Sequence, residues 1–226
     1  MMRFPRLGCR YHFTTADWQF ITDSLRLSER SRSGLESLAD DPDAIRYLLD
    51  HPKLFEALLM GHRAAMVSPE LFFLVVIRHT LKRIGVDDLD VADYMAVVCA
   101  NFSIPTTKVS PQNNQVMTWF YSIDYQQALE HADSRERFFI HVECANQFMV
   151  LTCLYPSFLE RRAARRGAPD VSYYEQVVVT HLEAAGHHAL AGEFELQEVL
   201  PRLSSAFPPV RRAMNYTLSE YLNLGR

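Results

Sequence analysis

The chain has 226 residues, which is long enough to bury an apolar core without disulfides or metal ions to hold it together. Hydrophobic residues make up 48% and charged residues 22%, as in an ordinary globular protein. A formal net charge of −4 excludes a globally basic protein drawn to nucleic acid or to anionic membranes.

Helix start and stop signals recur through the first hundred residues. Thr14, with Asp17 three residues later, has the pattern of a capping box, and Phe13 is placed to pack on Trp18. Residues 28–37 are polar and predict a linker. The same kinds of signal predict four further helices, which run from Asp41-Pro42, from Pro52 to Gly61, from Ser68 to Gly85, and from a cap at Asp90 to about Ala100.

Residues 102–123 interrupt the helical pattern. Pro105 and Pro111 fall within this stretch, and it is rich in residue types that favour strands. We therefore expect a short β-hairpin or an extended insertion, a kind of long connection that is often functional. Aromatic side chains are favoured at interfaces, so Trp119 and Tyr121 are candidate ligand-binding residues.

The second half of the chain returns to helical patterns. Pro208 and Pro209 are expected to separate its last two helices, because proline breaks helical hydrogen bonding. The predicted helices start near residue 124, at Ser134, after Pro156, at a Ser172-x-x-Glu175 capping box that opens a helix ending at Gly186, near residue 193, and at residue 209. Because the connections are short, we predict an all-α fold, an irregular multi-helix bundle in a single domain of residues 1–226.

The helix that begins at Ser134 combines an apolar circumference with one polar stripe. Glu143, Asn146 and Gln147 are spaced i, i+3, i+4 and therefore share a face. A helix of this kind is usually buried, and a buried carboxylate needs a partner or a raised pKa. All three residues are candidate ligand-binding residues, and Glu143 is the candidate catalytic group. The alternatives are that the stripe faces solvent or belongs to a structural network.

Several histidines are close together in sequence, but their spacing matches no metal motif. The weak metal candidates are His181, Glu183 and His187 in one group and, separately, His141, which lies three residues before Cys144. They fit neither a di-iron Glu-x-x-His pattern nor a zinc His-Glu-x-x-His pattern. We therefore expect surface or capping histidines, with no metal and no cofactor.

A cluster of arginines precedes Gly167. Arg161, Arg162, Arg165 and Arg166 form two pairs at i, i+4, and guanidinium groups suit phosphate or carboxylate. Arg202, Arg211 and Arg212 are candidates to extend this patch. The alternative is a solvated helix end, since cations in a last turn offset the helix dipole.

The cysteines and the N-terminus bear on the cellular location. None of the four cysteines belongs to a Cys-x-x-Cys pair, and the first residues have no apolar run behind their charges. Polar groups in the longest apolar stretch argue against a membrane span. We expect a cytoplasmic protein with reduced cysteines and no membrane association.

The motifs of nucleotide, dinucleotide and α/β-hydrolase sites are missing from the sequence. The leading hypothesis is a helical binding or adaptor protein that recognises a partner protein or a small apolar ligand. One alternative is a helical enzyme that uses Glu143, with or without a metal. Another is a phosphate or nucleic-acid binder that uses the segment Arg161–Arg166, although the net charge disfavours nucleic acid. A homodimer is expected because two-fold dimers are the commonest oligomers.

Overall fold

The computed structural model describes residues 8–27, 41–60, 67–103 and 122–221. Within these ranges the chain is mostly helical and forms no strand, so the all-α prediction is confirmed. A short 3-10 helix, Cys9–His12, precedes the α-helices. They are α1 (Thr15–Leu25), α2 (Pro42–Leu49), α3 (Pro52–Met60), α4 (Pro69–Arg83), α5 (Leu89–Ser103), α6 (Ser122–His131), α7 (Ser134–Leu154), α8 (Pro156–Arg166), α9 (Val171–Gly186), α10 (Leu190–Glu193) and α11 (Val199–Tyr221).

Most of the predicted insertion lies outside the described residues. Its first two residues, 102 and 103, complete α5, and its last two, 122 and 123, begin α6. The boundaries predicted for the insertion were therefore wrong at both ends. Residues 104–121, which include Trp119 and Tyr121, are outside the described part of the chain, as is the predicted linker at 28–37.

The backbone contacts divide the chain into two compact units. The first comprises residues 1–103 and 216–223, and the second comprises residues 104–215 and 224–226. The single domain stays a prediction.

In the first unit, the capping box at Thr14 begins α1 and also contacts the start of α4. Asp17 is fully buried and accepts hydrogen bonds from the backbone and hydroxyl of Thr14, at 2.6 and 2.9 Å. Its other oxygen accepts the backbone N–H of Ser68 at 2.7 Å. Phe13 packs edge-on against Trp18, with ring centroids 5.5 Å apart. The predicted cap is confirmed, and Asp17 also anchors the residue that caps α4.

The aspartates at the start of α5 differ from the prediction, which made Asp90 the cap. Asp88, and not Asp90, caps the helix by accepting the N–H three residues further on at 3.0 Å. Asp93 points inward instead. It accepts the backbone N–H groups of Gly8 and Cys9 at 3.0 and 2.6 Å, and so holds the start of the 3-10 helix against α5. Burial raises the pKa of Asp93 although both hydrogen bonds oppose the rise.

A charged residue is buried in α4, inside the apolar core of the first unit. Arg78 is completely buried and forms two parallel hydrogen bonds with the carboxylate of Asp50, at 2.9 and 2.7 Å. A third bond of 2.9 Å reaches Asp87, and it holds the pKa of that carboxyl below its usual range. Arg78 thereby connects α4 both to the end of α2 and to the turn before α5.

The second unit is built on the antiparallel packing of α7 and α9. Phe148 of α7 stacks on Tyr174 of α9, with ring centroids 4.8 Å apart. A second contact joins His141, seven residues before Phe148 on α7, to His181, seven residues after Tyr174 on α9. Because the two helices are antiparallel, both contacts belong to the same register, which holds over two helical turns. The helices α6, α8 and α10 also pack against α7.

A hydrogen-bonded chain of side chains ties α9 and α11 to the end of α7. Arg211 donates to Glu175 and to the side-chain oxygen of Asn215, and the Asn215 amide donates to the carbonyls of residues 152 and 153. The predicted Ser172-x-x-Glu175 capping box was therefore wrong, since Asp170 caps α9. The predicted extension of the arginine patch through Arg211 was also wrong, because this guanidinium is already paired.

The two prolines at 208 and 209 do not end a helix. They lie inside α11, so the predicted break there was wrong. An interior proline costs about 3 kcal/mol. Fully burying a large apolar side chain stabilises by about 1.5–3 kcal/mol. A continuous helix aligns four such side chains on one buried face, namely Leu203, Phe207, Val210 and Met214. The free energy of burying them is enough to offset the cost of the two prolines.

We predict that Gly186→Ala destabilises the second unit. An added Cβ would lie 2.8 Å from two ring carbons of Pro201, in α11, which is too close for real contacts. Glycine to alanine in a helix normally stabilises by about 1 kcal/mol. Here we expect a loss of about 1–3 kcal/mol from overpacking. Urea unfolding measures it, and the double variant Gly186→Ala, Pro201→Ala should recover most of the loss; no recovery would show that the close approach is not the cause.

We also predict that Asp50→Asn lowers the free energy of unfolding by about 3 kcal/mol, because it removes one partner of a buried charge. The matched control is Lys82→Gln. Lys82 pairs with the same carboxylate at 3.0 Å, but its side chain is 46% exposed. Loss of an exposed pair should cost about 1 kcal/mol or less. Equal losses in the two variants would contradict the role given to Arg78.

Candidate functional site

The predicted polar stripe on α7 lies against α6. Asn146 is buried, whereas Glu143 and Gln147 are half-buried. The side-chain oxygen of Gln147 accepts a hydrogen bond of 2.8 Å from the hydroxyl of Tyr125, a fully buried residue of α6. The stripe is therefore partly inside the protein, and part of it is engaged in a polar contact between two helices.

Glu143 is the member of the stripe whose charge lacks compensation. Burial raises the pKa of its carboxyl group above the ordinary value. No hydrogen bond or ion pair reaches this carboxylate from the described part of the chain. Glu143 is therefore less buried than the apolar circumference of α7 led us to expect, and its raised pKa takes the place of a partner within the described residues.

Tyr125 completes this polar group. Burial raises the pKa of its hydroxyl, and the nearby charge of Glu143 raises it further. The phenol therefore stays protonated at neutral pH and donates to Gln147. The result is a neutral hydroxyl–amide pair beside a carboxylate that no described residue pairs with, an arrangement suited to receiving a hydrogen-bond donor or a cation.

A second polar group lies between α7 and α9. The Nδ1 atoms of His141 and His181 are 3.1 Å apart, and both residues are half-buried. Burial, followed by the proximity of His141, lowers the pKa of His181 to about 4. Burial also lowers the pKa of His141, and the charges of Arg137 and His188 add to this effect. Both rings are therefore neutral at pH 7.

The other two weak metal candidates do not join this pair. Glu183 and His187 are exposed, and the His187 ring bonds the backbone carbonyl of Glu183 at 2.8 Å, which is a local contact at the end of α9. His188 bonds Ser134 and the backbone of residue 190. Among the residues that the structure describes, no group of three or more histidine, cysteine or acidic side chains could hold a metal ion.

The cysteines do not form a reactive centre. All four are buried with free thiols. Burial raises the pKa of Cys153 to about 12 and also raises the pKa values of Cys9 and Cys144. A thiol that stays protonated at neutral pH is a poor nucleophile.

The arginine cluster occupies the last turns of α8, as predicted, and Gly167 ends the helix in a left-handed conformation. Arg161, Arg165 and Arg166 are exposed, whereas Arg162 lies over the ring of Phe158 at 5.6 Å. A helix C-terminus carries partial negative charge, which favours these cations but opposes a bound anion.

Two partners in these sites were missed from sequence. Tyr125 was not singled out, and His181 was grouped with its sequence neighbours and not with His141. The signal that pairs the histidines is the antiparallel register of α7 and α9. Once Phe148 is placed opposite Tyr174, residue 141, seven positions before Phe148, must lie opposite residue 181, seven positions after Tyr174.

Comparison with known proteins identifies no relative: no protein-family model, no curated protein and no solved structure matches this chain. Among the described helices, none is by itself long and apolar enough to cross a membrane. The pair α7 and α8 meets the length and composition criteria only together, with a 93° bend between them.

The histidine pair leads to a prediction about pH. An unfolded chain takes up a proton at His181 near the ordinary value of 6.5, whereas the folded protein does so only near 4. Between these values the unfolded state binds more protons, so the free energy of unfolding should fall as the pH falls. Urea unfolding between pH 7.5 and 4.5 measures this dependence.

The matched variants are His181→Gln and His187→Gln. His181→Gln should make the dependence below pH 6.5 less steep, because one of the two rings with a lowered pKa is removed. His187→Gln changes an exposed histidine of the same helix end and should leave the dependence as in the parent. A parent-like profile in His181→Gln would contradict the lowered pKa.

Proposed function

We propose that this chain is a helical binding protein, and that Glu143 is the recognition residue for a small ligand with an apolar body and a cationic head. The proposal depends on one observation, the half-buried Glu143 carboxylate that no described residue pairs with. Titratable groups with shifted pKa values are found preferentially at functional sites.

The energetic argument follows from the burial of the charge. Partial burial disfavours the ionised carboxylate, and a donor or cation brought to it recovers that cost. A hydrogen bond to a charged group contributes about 1.5–3 kcal/mol. The adjacent side chains of Tyr125 and Gln147 are uncharged and hydrogen-bonded to each other, so Glu143 is the residue that recognises the charge of the ligand.

The surroundings of Glu143 favour an apolar body on the ligand. Ile140, one turn earlier on the same face of α7, is also half-buried, so part of its apolar side chain is open to a ligand. A ligand lying along this face would cover apolar surface while its head meets the carboxylate. Such sites combine an apolar lining with few polar groups that fix the orientation.

Phenethylamine and 2-phenylethanol test the proposal as matched probes. They share an apolar body and differ in having an ammonium or a hydroxyl head. We expect the amine to bind at pH 7 roughly tenfold more tightly, because both heads can donate a hydrogen bond to the carboxylate but only the ammonium adds an opposite charge to it. Chemical-shift titration of the 15N-labelled protein measures both affinities and shows which helices respond.

Glu143→Gln should remove the preference for the amine while leaving the protein folded, since it removes a charge that burial disfavours. The control is Glu183→Gln, which changes an exposed glutamate on α9. If the amine and the alcohol bind equally to the parent, or if Glu143→Gln keeps the preference, the proposal fails. Native mass spectrometry of untreated protein would add the mass of a retained ligand.

A helical enzyme is the second candidate, supported by the same raised pKa. A carboxyl group titrating above its ordinary range can act as a general acid or base, and the Tyr125 hydroxyl is nearby. Turnover that is lost in Glu143→Gln with binding preserved would favour it. The third candidate, a phosphate or nucleic-acid binder through Arg161–Arg166, is less supported, because these arginines lie at the negative end of a helix dipole.

The expected association and location remain proposals. A partner protein as the ligand, a homodimer and a cytoplasmic location are compatible with the described surfaces and with the four free thiols. Light scattering at high protein concentration measures the oligomeric state.

A further inference from the structure

The pair formed by His141 and His181 has the geometry of a metal chelate. The two Nδ1 atoms are 3.1 Å apart. Two imidazole nitrogens that each lie about 2.0–2.1 Å from a tetrahedral zinc ion are separated by about 3.3 Å. The separation therefore requires a shift of only a few tenths of an ångström to fit the ion.

The orientation of the rings agrees with this interpretation. Two imidazoles joined by a linear hydrogen bond of this length would have their ring centroids about 5.4 Å apart. The observed centroids are 4.9 Å apart and the rings are inclined by 55°. The shorter separation means that the rings are tilted away from a straight line through the two nitrogens. Such a tilt leaves room for an ion beside that line if both rings turn their Nδ1 atoms toward it.

The protein environment keeps both rings uncharged, and the proton that one Nδ1 donates in the hydrogen bond between them has to move to Nε2 when a metal binds. Only neutral imidazole binds a metal, and both rings are neutral at pH 7 because burial disfavours their charged forms. The two histidines project from α7 and α9, whose register is fixed two turns away by the stack of Phe148 on Tyr174. The partial exposure of both histidines leaves a route for an ion and its water.

We propose that His141 and His181 together bind a divalent transition metal of the zinc, copper or nickel kind through their Nδ1 atoms. Nitrogen ligands of this type suit these ions. The described part of the chain supplies two donors, so water or a second ligand completes the coordination. Metal sites that keep such open positions are those of catalysis or ligand capture.

This site is separate from Glu143. Residues 141 and 143 are two positions apart on α7, so their side chains leave the helix about 200° apart. His141 faces α9, whereas Glu143 lies on the face that carries Gln147 and contacts α6. The variant Glu143→Gln should therefore bind the metal as the parent does, and the two proposals can fail independently.

Isothermal titration of the full-length chain without an affinity tag tests the proposal, with Zn²⁺ at pH 7.5 as the probe. We expect one ion per chain. His141→Gln and His181→Gln should each weaken the affinity about 100-fold or more, since even the loss of an outer partner costs 10–100-fold. His187→Gln is the matched control and should bind as the parent does.

Electron paramagnetic resonance of the parent loaded with Cu²⁺ gives a second readout that needs no variant. Two coordinated imidazole nitrogens should appear in the spectrum of the one-to-one complex. The proposal is overturned if the parent binds no Zn²⁺, if either folded variant binds as tightly as the parent, or if the copper spectrum shows fewer than two nitrogens. If both variants fail to fold, the spectrum decides.

Discussion

The packing of α7 against α9 is the constraint on which the rest of the second unit depends. Phe148 stacked on Tyr174 fixes the register of the two helices, and that register brings His141 to His181 two turns away. A slip by one residue would turn each of these side chains by about 100° and separate both contacts. The apolar circumference of α7 makes this packing unavoidable, since only neighbouring helices can cover it.

The first unit depends on buried charge in addition to apolar burial. Arg78 is enclosed in the core, and its charge is tolerated because two carboxylates, Asp50 and Asp87, face it. Asp17 and Asp93 use their oxygens differently, since both accept backbone N–H groups from segments distant in sequence. Buried carboxylates thus connect loops and short helices that have little apolar surface of their own.

The polar groups of α7 lie on two faces of the helix, one toward α6 and one toward α9, and the two groups differ in chemistry. The stripe with Glu143 and Gln147 faces α6 and contains a carboxylate without a described partner. His141 faces α9, where it meets a second neutral imidazole. A single buried helix therefore carries two chemically distinct groups, one acidic and one composed of metal-ligand side chains. The proposed ligand site and the proposed metal site follow from this division.

Sequence alone determined the helical fold class and many helix ends, because capping and termination are local. The Thr14 cap, the proline starts of α2 to α4 and the stop at Gly167 are decided by groups a few residues apart. The burial of the α7 stripe also followed from local spacing. The tertiary structure decided which polar groups meet, as with His181 and the pairing of Glu175 with Arg211. The tertiary structure also keeps α11 continuous through two prolines, because apolar burial against distant residues outweighs the local preference for a break. A short stretch of sequence does not contain the free energy of that burial.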